Sequence, residues 1–387
     1  MWFAMTFGML SAGGTSRAPA SPLLCGTDGS AKRRPTVGAI LSSKMTRAGL
    51  VSLLLIISLF AFTRRFDDLR KATFQWREGD PVPDHGVDWS VADSEENVDW
   101  SRYAYVQYVT TEHYLCNSVM LFERLHRLGS RADRVMLYPD HMLDSRNPLS
   151  KTHNTQLLSK ARDEYKVKLV PIQVQFRESS DDTWAESFTK LLVFNQTQYS
   201  RVIHLDSDST LLLHMDELFF SPPAPVAMPN AHWLYPKNPM LSSQLMLIQP
   251  SETEFARVMD AFRNAGPDDY DMDILDHLYR DSALVLPHRP YDLLTSEFRR
   301  APDMHTKYLG NEDEVWDAVA ILNEAKFLHF SDWPIPKPWL PESAGKRAQM
   351  QPKCYEVDGV ENCVDRELWN AIYDDFDLRR ARICHGR

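Results

Sequence analysis

Two aspartates, Asp206 and Asp208, lie one residue apart directly after a short apolar run, in the stretch "RVIHLDSDSTLLLHMDELF". Charged side chains are costly to bury without a partner, so we expect the two carboxylates to bind a partner of opposite charge or a hydrogen-bond donor. Carboxylate oxygens suit a hard cation such as Mn²⁺ or Mg²⁺, which proteins often share with the phosphates of a substrate. The pair therefore predicts a site for one divalent cation and a phosphorylated ligand.

The same letters allow two other interpretations. Phosphatases of the haloacid dehalogenase type carry an apolar strand followed by Asp-x-Asp-x-Thr or Val, and Thr210 comes one position late for that pattern. In such an enzyme Asp206 would be the nucleophile and Asp208 the general acid. In a purely structural interpretation, Asp208 caps a turn or a helix and Asp206 accepts backbone amides. The residues of this stretch alone leave the three hypotheses open.

The segments around the pair alternate between strand and helix patterns. Apolar residues at a spacing of two indicate strands, and those at 3.6 indicate helices. Strands are predicted at 102–110, 133–140, 167–174, 201–206 and 243–251, and helices at 111–129, 154–166, 187–200, 252–263 and 312–327. This order predicts an α/β fold with a mostly parallel sheet flanked by helices. It places the two aspartates at the carboxyl end of a parallel strand, where open α/β sheets bind ligands.

Charge is unevenly distributed along the 387 residues. The formal net charge is −10, of which the first 50 residues carry +5 and the remainder −15. Nucleic-acid binding usually needs a basic face, so the acidic body argues against such a partner. It fits a protein that binds anions only at a local site, together with a metal.

An uncharged stretch of fifteen residues, 48–62, lies between basic flanks near the start of the chain. As a helix it spans about 22 Å, short of the roughly 30 Å bilayer core, but flanking residues extend its reach. We predict a single-pass signal anchor at 48–63, a disordered cytoplasmic tail at 1–47 and a polar stem at 64–100. A cleaved signal peptide and a buried core helix are the alternatives.

The predicted catalytic domain covers 101–342 and is followed by a C-terminal extension, 343–387, with no predicted element or role. Three of the five cysteines lie in this extension, and none of the five forms a Cys-x-x-Cys pair that would indicate zinc. Cys354 and Cys363 are nine positions apart, a spacing that suits a disulfide in an oxidising lumen. Free thiols are the alternative.

Four stretches between Tyr105 and Trp339 resemble the glycogenin-like glycosyltransferases, the retaining family eight with the GT-A fold. They are "YVTTEHY", "TKLLVFNQTQYSRVIHLDSDSTLLLHMDELF", "SSQLMLIQPS" and "HFSDWPIPKPW". The resemblance implies a GT-A nucleotide-diphospho-sugar transferase fold and a UDP-sugar donor. The loop from His329 to Lys337 is two residues longer than in that family, and Ser242-Ser243-Gln244 replaces the usual Asn-Ser-Gly.

The resemblance also implies roles for particular residues. Asp206, Asp208 and His329 would ligate Mn²⁺, which bridges the two phosphates of the donor, and Lys337 would add a charge to the same diphosphate. Tyr114 would stack on uracil. The other residues that it places around the donor are Thr111, Ser207 and Gln244, with Lys190 and Asp271 as the catalytic candidates in contact with the donor sugar.

Within that family, the aspartate stretch, "DMDIL" and "HFSDWPIPKPW" are most similar to the fungal Golgi N-acetylglucosaminyltransferases, which are type II membrane proteins. This subgroup implies transfer of N-acetylglucosamine from UDP-GlcNAc to a mannose-containing glycan, with retention at the anomeric carbon. It also implies a Golgi membrane location with the catalytic domain in the lumen. A glycan-binding scaffold that keeps the fold without the catalysis is a further alternative.

Three of these residues have a purely structural alternative as well. Tyr114 would then be a core aromatic, His329 a hydrogen-bonded core histidine, and Lys190 the partner of Glu186 on a solvated helix face.

Overall fold

A computed structural model describes the chain from residue 98 to residue 385, with short gaps. The described residues are 98–143, 152–176, 186–234, 237, 239–357 and 359–385. They belong to one compact unit, Gly79–Arg387. The predicted anchor at 48–63 and nearly all of the predicted stem lie outside them. Within the described ranges, no helix is both long and apolar enough to cross a bilayer.

Twelve strands are present in the described residues. In chain order they are β1 Tyr103–Tyr108, β2 Asp133–Pro139, β3 Val167–Ile172, β4 Arg201–Leu205, β5 Ser209–Leu211, β6 Val226–Pro229, β7 Leu245–Ile248, β8 Leu284–Leu286, β9 Leu293–Leu294, β10 Phe327–His329, β11 Tyr355–Val357 and β12 Val360–Asn362. Seven of them form the central sheet in the order β3-β2-β1-β4-β7-β6-β8, and β5-β10-β9 form a small second sheet.

The central sheet is mostly parallel. Strands β3, β2, β1 and β4 run parallel, β7 is antiparallel to both of its neighbours, and β6 pairs in parallel with β8. The helices that accompany it are α1 Glu112–Arg127, α2 His153–Tyr165, α3 Glu252–Asn264, α4 Asp271–Tyr279, α5 His288–Tyr291, α6 Thr306–Leu309, α7 Ala318–Glu324, α8 Ser343–Met350 and α9 Val364–Cys384. The predicted α/β class with a mostly parallel sheet is confirmed.

The segment predicted as a helix at 187–200 is instead a 3₁₀ helix at Ser187–Asn195. Its buried aromatic and aliphatic side chains Phe188, Leu191 and Phe194 recur every three residues. That period matches the three residues per turn of a 3₁₀ helix and not the 3.6 of an α-helix. This tighter coil presents one face to the core of the sheet.

The helix predicted at 312–327 is confined to α7. Asp317 stops it from starting earlier, because its side chain accepts hydrogen bonds from Val319 N and Ala320 N as an N-cap. Before the cap the chain runs outside the helix, and the indole of Trp316 donates to Asp365 of α9 over 2.7 Å.

The C-terminal extension, to which the sequence analysis assigned no element, contains α8, the β11–β12 hairpin and α9. Helix α9 packs on α1, and a disulfide joins Cys116 to Cys384. The buried Arg379 donates to Met120 O over 2.9 Å. A second disulfide, Cys354–Cys363, closes the hairpin, so the disulfide alternative for that pair is confirmed.

Candidate active site

The three predicted metal ligands converge between the two sheets. Asp206 and Asp208 lie in the turn from β4 to β5, and β10 pairs with β5 so that His329 stands opposite Ser209. The ligand atoms of the three side chains all lie within 4.8 Å of one another. His329 Nε2 is 3.0 Å from Asp208 Oδ1 and 3.8 Å from Asp206 Oδ2. The structure therefore brings together residues more than 120 positions apart in the sequence.

Backbone hydrogen bonds fix the turn that carries the two aspartates. Asp206 N donates to Gln244 O over 2.9 Å, and Ser209 Oγ donates to Asp206 O. Phe330 N donates to Asp208 O over 2.9 Å. Because the main chain is held from both sides, the carboxylates are left to face side chains, which is the arrangement of a pre-organised ligand set.

Lys337 is the second basic side chain beside Asp208, after His329. Its Nζ lies 2.7 Å from Asp208 Oδ2 and donates to Phe330 O, also over 2.7 Å. Burial raises the pKa of the Asp208 carboxyl, but His329 and Lys337 outweigh that effect and hold the pKa well below its usual value. Asp208 is therefore ionised at neutral pH, as a cation ligand must be.

Lys190 connects Asp206, one of the predicted metal ligands, to Asp271. Lys190 is buried, with 3% of its surface exposed. Its Nζ lies 2.9 Å from Asp206 Oδ1 and 2.8 Å from Asp271 Oδ2. Ser243 Oγ donates to the same Asp271 oxygen over 2.8 Å and lies 3.1 Å from Lys190 Nζ. The two catalytic candidates thus belong to one hydrogen-bonded network with the predicted metal ligands.

The charges within this network stabilise one another. Burial lowers the pKa of Lys190, but Asp206 and Asp271 more than reverse this and raise it above its ordinary value. Burial raises the pKa of Asp271, and Lys190 and Ser243 outweigh it and lower the pKa. Both groups are charged at neutral pH. Asp271 is the first residue of α4, where the helix N-terminus also favours a negative charge.

The residues fit a divalent cation. Neither ring nitrogen of His329 makes a well-aligned hydrogen bond, although the residue is only 5% exposed. Its Nε2 instead lies close to two carboxylates, and one metal ion could be bound by all three groups. Two carboxylates and one imidazole form a donor set that suits Mn²⁺ or Mg²⁺ when substrate oxygens complete the shell.

The residues predicted around the nucleotide lie beside this cluster. Thr111 is the N-cap residue of α1, at the carboxyl end of β1, and Tyr114 lies in the first turn of that helix. Burial raises the pKa of Tyr114, and Asp208 and Asp206 add to the effect. The Tyr114 ring packs edge-on against Trp339, with ring centroids 5.5 Å apart.

Ser207 and Gln244 also lie at this edge of the sheet. Ser207 is buried in the turn between the two aspartates. Gln244 holds Asp206 through its carbonyl, while its own side-chain Oε1 is buried without a hydrogen-bond partner. Sequence reasoning had placed both near the donor, and the structure brings both to the cluster.

Two buried residues next to the cluster escaped the sequence analysis. His204 lies two residues before Asp206, with its Nε2 3.4 Å from Asp206 Oδ1 and its Nδ1 3.0 Å from Val106 O. The period-two pattern of β4 would have placed His204 and Asp206 on one face. Asp292 is fully buried before β9, and the sequence gives no signal for it because its neighbours come from distant segments.

The structural alternatives for these residues differ in outcome. The described partners of the Asp206 and Asp208 carboxylates are side chains, which does not match the capping alternative. The described partners of Lys190 Nζ are Asp206, Asp271 and Ser243, which does not match the alternative in which Lys190 pairs with Glu186 on a solvated face. Lys190 belongs to the 3₁₀ helix Ser187–Asn195, most of whose side chains are buried, so it points into the site and not into solvent.

Comparison with known proteins agrees with the resemblance. The chain is 58% identical over 292 residues to "Glucose N-acetyltransferase 1" of Gibberella zeae, a match that covers 75% of this chain and 64% of that protein. It is 46% identical over 320 residues to the protein of the same name from Aspergillus fumigatus, covering 79% of this chain and 81% of the relative. The chain belongs to the glucose N-acetyltransferase 1 family. Membership of this family confirms the recognised resemblance and the predicted enzyme class, a glycosyltransferase.

The chain spans somewhat less than two thirds of the length of the Gibberella zeae relative. No family model matches it. Among solved structures it overlaps with the Streptococcus pneumoniae glycosyltransferase GlyE at a TM-score of 0.45 and 15% identity, covering 72% of this chain and 64% of that one. It overlaps with the galactosyltransferase LgtC at a TM-score of 0.44 and 10% identity, covering 69% and 95%. Overlaps at this level add nothing to the assignment.

Proposed function

We propose that the chain is a metal-dependent, retaining glycosyltransferase with a GT-A fold that moves N-acetylglucosamine from UDP-GlcNAc to a mannose-containing glycan. The observation that carries the proposal is the convergence of Asp206, Asp208 and His329 at the carboxyl edge of the sheet, with Lys337 on Asp208. The names of the relatives support the sugar. The subgroup resemblance supports the glycan acceptor.

The described side chains divide the work of transfer between them. Asp206, Asp208 and His329 would hold Mn²⁺ or Mg²⁺, which when bound neutralises negative charge on the departing diphosphate. Lys337 is placed to donate to the same phosphates, since its Nζ already lies beside Asp208. Lys337 would exchange one anionic partner, the Asp208 carboxylate, for another, a substrate phosphate. The surrounding charges would therefore need to rearrange little when the donor binds.

Lys190 and Asp271 would act on the sugar end of the donor. Lys190 holds Asp271 ionised and, with Ser243, fixes the orientation of its carboxylate. An ionised, fixed carboxylate beside the diphosphate site stabilises positive charge that develops on the sugar ring during transfer. Tyr114 lies at the nucleotide side, where its ring offers a face for uracil.

We also propose that residues 48–63 anchor the protein in the Golgi membrane as a single-pass type II protein with a lumenal catalytic domain. The uncharged stretch supports a membrane anchor, and the subgroup resemblance supports its orientation and the Golgi location. Protease protection of a C-terminal tag in intact microsomes tests it. A tag that is digested without detergent would overturn it.

The activity is tested with the full chain in detergent. UDP release from UDP-GlcNAc is measured with Mn²⁺ and with a chelator, against UDP-glucose and UDP-galactose as competing donors. We expect UDP-GlcNAc to be preferred and the chelator to stop the reaction. Unchanged turnover in chelator would overturn the metal dependence. Hydrolysis of phosphate monoesters without a UDP requirement would favour the phosphatase instead, and UDP binding without turnover would favour the scaffold.

A further inference from the structure

We propose that Trp333 is a binding platform for a sugar ring of the acceptor glycan. This inference rests on the proposed function and names a residue for the second substrate. The first observation is the exposure of the Trp333 side chain. Trp333 is 89% exposed, more than any other large hydrophobic side chain in the described residues. Single exposed hydrophobic residues are common on protein surfaces, so the argument depends on where this one lies and how it is held.

Trp333 lies at the apex of a loop that begins and ends at the candidate active site. The loop runs from Phe330 to Lys337, and Lys337 Nζ donates back to Phe330 O over 2.7 Å, which closes it. Both ends also contact Asp208, through Phe330 N and Lys337 Nζ. Trp333 is four residues from His329 and from Lys337, and four residues of chain reach at most about 14 Å. Its Cα therefore lies within about 14 Å of both ends of the loop, near enough for the exposed indole to contact a substrate that extends out of the site.

The backbone at this apex is fixed from beneath. Asp332 is buried and accepts hydrogen bonds from Arg299, Trp369 and Tyr373. Arg299 also donates to the carbonyl of Trp333 itself, over 3.0 Å, and Ile335 N donates to Asp332 O. These contacts order the main chain of the loop while the indole remains in solvent. A rigid backbone under an exposed aromatic ring lowers the entropy lost when a ligand binds.

The position of Trp333 in the loop favours the acceptor, and not the donor, as the ligand of its indole. The base of the loop, at Lys337 and Asp208, faces the proposed diphosphate site. Trp333 is four residues from this base and is exposed to solvent, and in a transfer reaction the second substrate approaches from solvent. The face of an indole ring is electron-rich and attracts the C–H groups on one side of a sugar ring. A ring of that size also covers a large apolar area on contact.

The test is a kinetic comparison in the full chain, with UDP-GlcNAc as donor and a mannose oligosaccharide as acceptor. For Trp333→Ala we expect the acceptor KM to rise about ten-fold, with kcat, the donor KM and donor hydrolysis without acceptor nearly unchanged. Trp333→Phe should recover part of the loss because it restores an aromatic face. Val360→Ala, which trims an exposed hydrophobic residue in the β11–β12 hairpin, is the control and should change nothing.

Two kinetic results and one result in lipid would overturn the inference. One is an unchanged acceptor KM in Trp333→Ala. The other is a parallel fall of donor hydrolysis and transfer, which would make Trp333 a structural part of the loop. An effect seen only after reconstitution in lipid vesicles would assign the indole to the bilayer and overturn it as well.

A binding measurement separates this inference from the proposed function. Calorimetric titration of the mannose oligosaccharide into the UDP-saturated chain needs no turnover. Weaker binding by Trp333→Ala than by the wild type supports the platform even if no transfer is seen. Equal binding by the two proteins overturns it, whatever sugar the enzyme transfers.

Discussion

Two buried clusters of acidic residues and histidines can be compared in the described part of the chain, and they differ in their ratio of acids to bases. In the second, the Glu297 cluster, one carboxylate meets His232 Nε2 at 3.2 Å, Arg300 Nε at 2.8 Å and His305 Nδ1 at 3.8 Å. Burial raises the pKa of Glu297, but the three neighbours outweigh it and lower the pKa to about 2. One anion is thus surrounded by three groups able to carry positive charge.

At the candidate active site the ratio of acidic to basic side chains is different. Asp206, Asp208 and Asp271 bring three carboxylates, and Lys190, Lys337 and His329 are the basic side chains beside them. The Glu297 cluster therefore has one carboxylate for three basic side chains, whereas the active-site cluster has three for three, and three of its ligand atoms lie close enough together to bind one divalent cation. Burial alone does not distinguish the two clusters; the ratio of acids to bases does.

The largest expected effect is on activity, from Asp208→Ala. Because Asp208 contacts both His329 and Lys337, its loss removes a proposed metal ligand and the partner of the lysine proposed to bind phosphate. We expect turnover of UDP-GlcNAc to fall about 1000-fold, as when a main electrostatic contact to a transition state is removed. Turnover per folded molecule is measured at saturating Mn²⁺, with circular dichroism to show that the fold is kept.

The melting temperature gives an independent check on Asp208→Ala. Mn²⁺ with UDP should raise it in the wild type, because a ligand of the native state stabilises that state, and should raise it much less in the variant. A variant that keeps both near-wild-type turnover and the full thermal shift would contradict the metal assignment.

The next effect is on stability, from Glu297→Ala. Removing the carboxylate leaves His232, His305 and Arg300 without their common partner in a buried setting. We expect the free energy of unfolding to fall by about 4 kcal/mol, the range found when one member of a buried ion pair is deleted. Urea unfolding at neutral pH measures it.

A matched control for Glu297→Ala is Asp260→Ala, whose exposed pair with Arg263 should contribute less than about 0.5 kcal/mol. Below the unfolding transition, the turnover of folded Glu297→Ala should match the wild type. A loss of turnover without a loss of stability would show that the Glu297 cluster has a functional role. The contrast between it and the candidate active site would then be wrong.

The sequence sufficed for the parts of the site that sit on regular strands. The apolar run of β4 placed Asp206 and Asp208 at the carboxyl edge of the sheet, and the structure agrees. The pairing of His329 with this turn came only from the resemblance, because β5 and β10 are three residues each and carry too few side chains for a pattern. The partners of Lys190 were missed for a similar reason, since they lie on three separate segments.

Helix α9 was missed although a signal was present. Trp369, Tyr373 and Phe376 recur at the spacing of a helix face, and all three are buried. The many charged residues between them made the segment look polar throughout. The Glu297 cluster could not be foreseen, because His232 and His305 reach Glu297 by tertiary packing, and only Arg300, three residues after Glu297, is a local partner.

A smaller effect is expected on the pH dependence of stability, from Asp292. Asp292 and Glu297 are both buried acids, but their pKa values are shifted in opposite directions. Burial raises the pKa of Asp292 to about 8, against a lowering effect of Ser242 and a raising effect of Asp206. In the unfolded chain the group ionises near pH 4, so the folded state binds the extra proton between about pH 4 and 8. Its stabilising contribution is complete below pH 4 and is lost as the pH rises through 8.

The measurement compares Asp292→Asn with the wild type. Between pH 5 and pH 7 the variant should gain about 3 kcal/mol of unfolding free energy relative to the wild type, since it has no proton to lose. Urea unfolding in chelator at the two pH values gives the difference, and other titrating groups cancel in it. Equal pH dependence of the two proteins would show that Asp292 is ionised in the folded state.

The smallest effect comes from Ser243→Ala, which probes whether Asp271 must be oriented. Ser243 Oγ donates to Asp271 Oδ2, and Lys190 would remain to hold the carboxylate after its loss. We expect kcat/KM for UDP-GlcNAc to fall about ten-fold, a change of ~1.4 kcal/mol, with the Mn²⁺ requirement unchanged.

The control for Ser243→Ala is Ser101→Ala, which removes a similar hydroxyl-to-carboxylate bond at the exposed Asp99 and should have no effect on turnover. Full activity in Ser243→Ala would mean that Lys190 and Asp271 form a static ion pair like that of Glu297. The functional charges would then be limited to Asp206, Asp208, His329 and Lys337, and the boundary between the active-site cluster and its structural support would lie at Lys190.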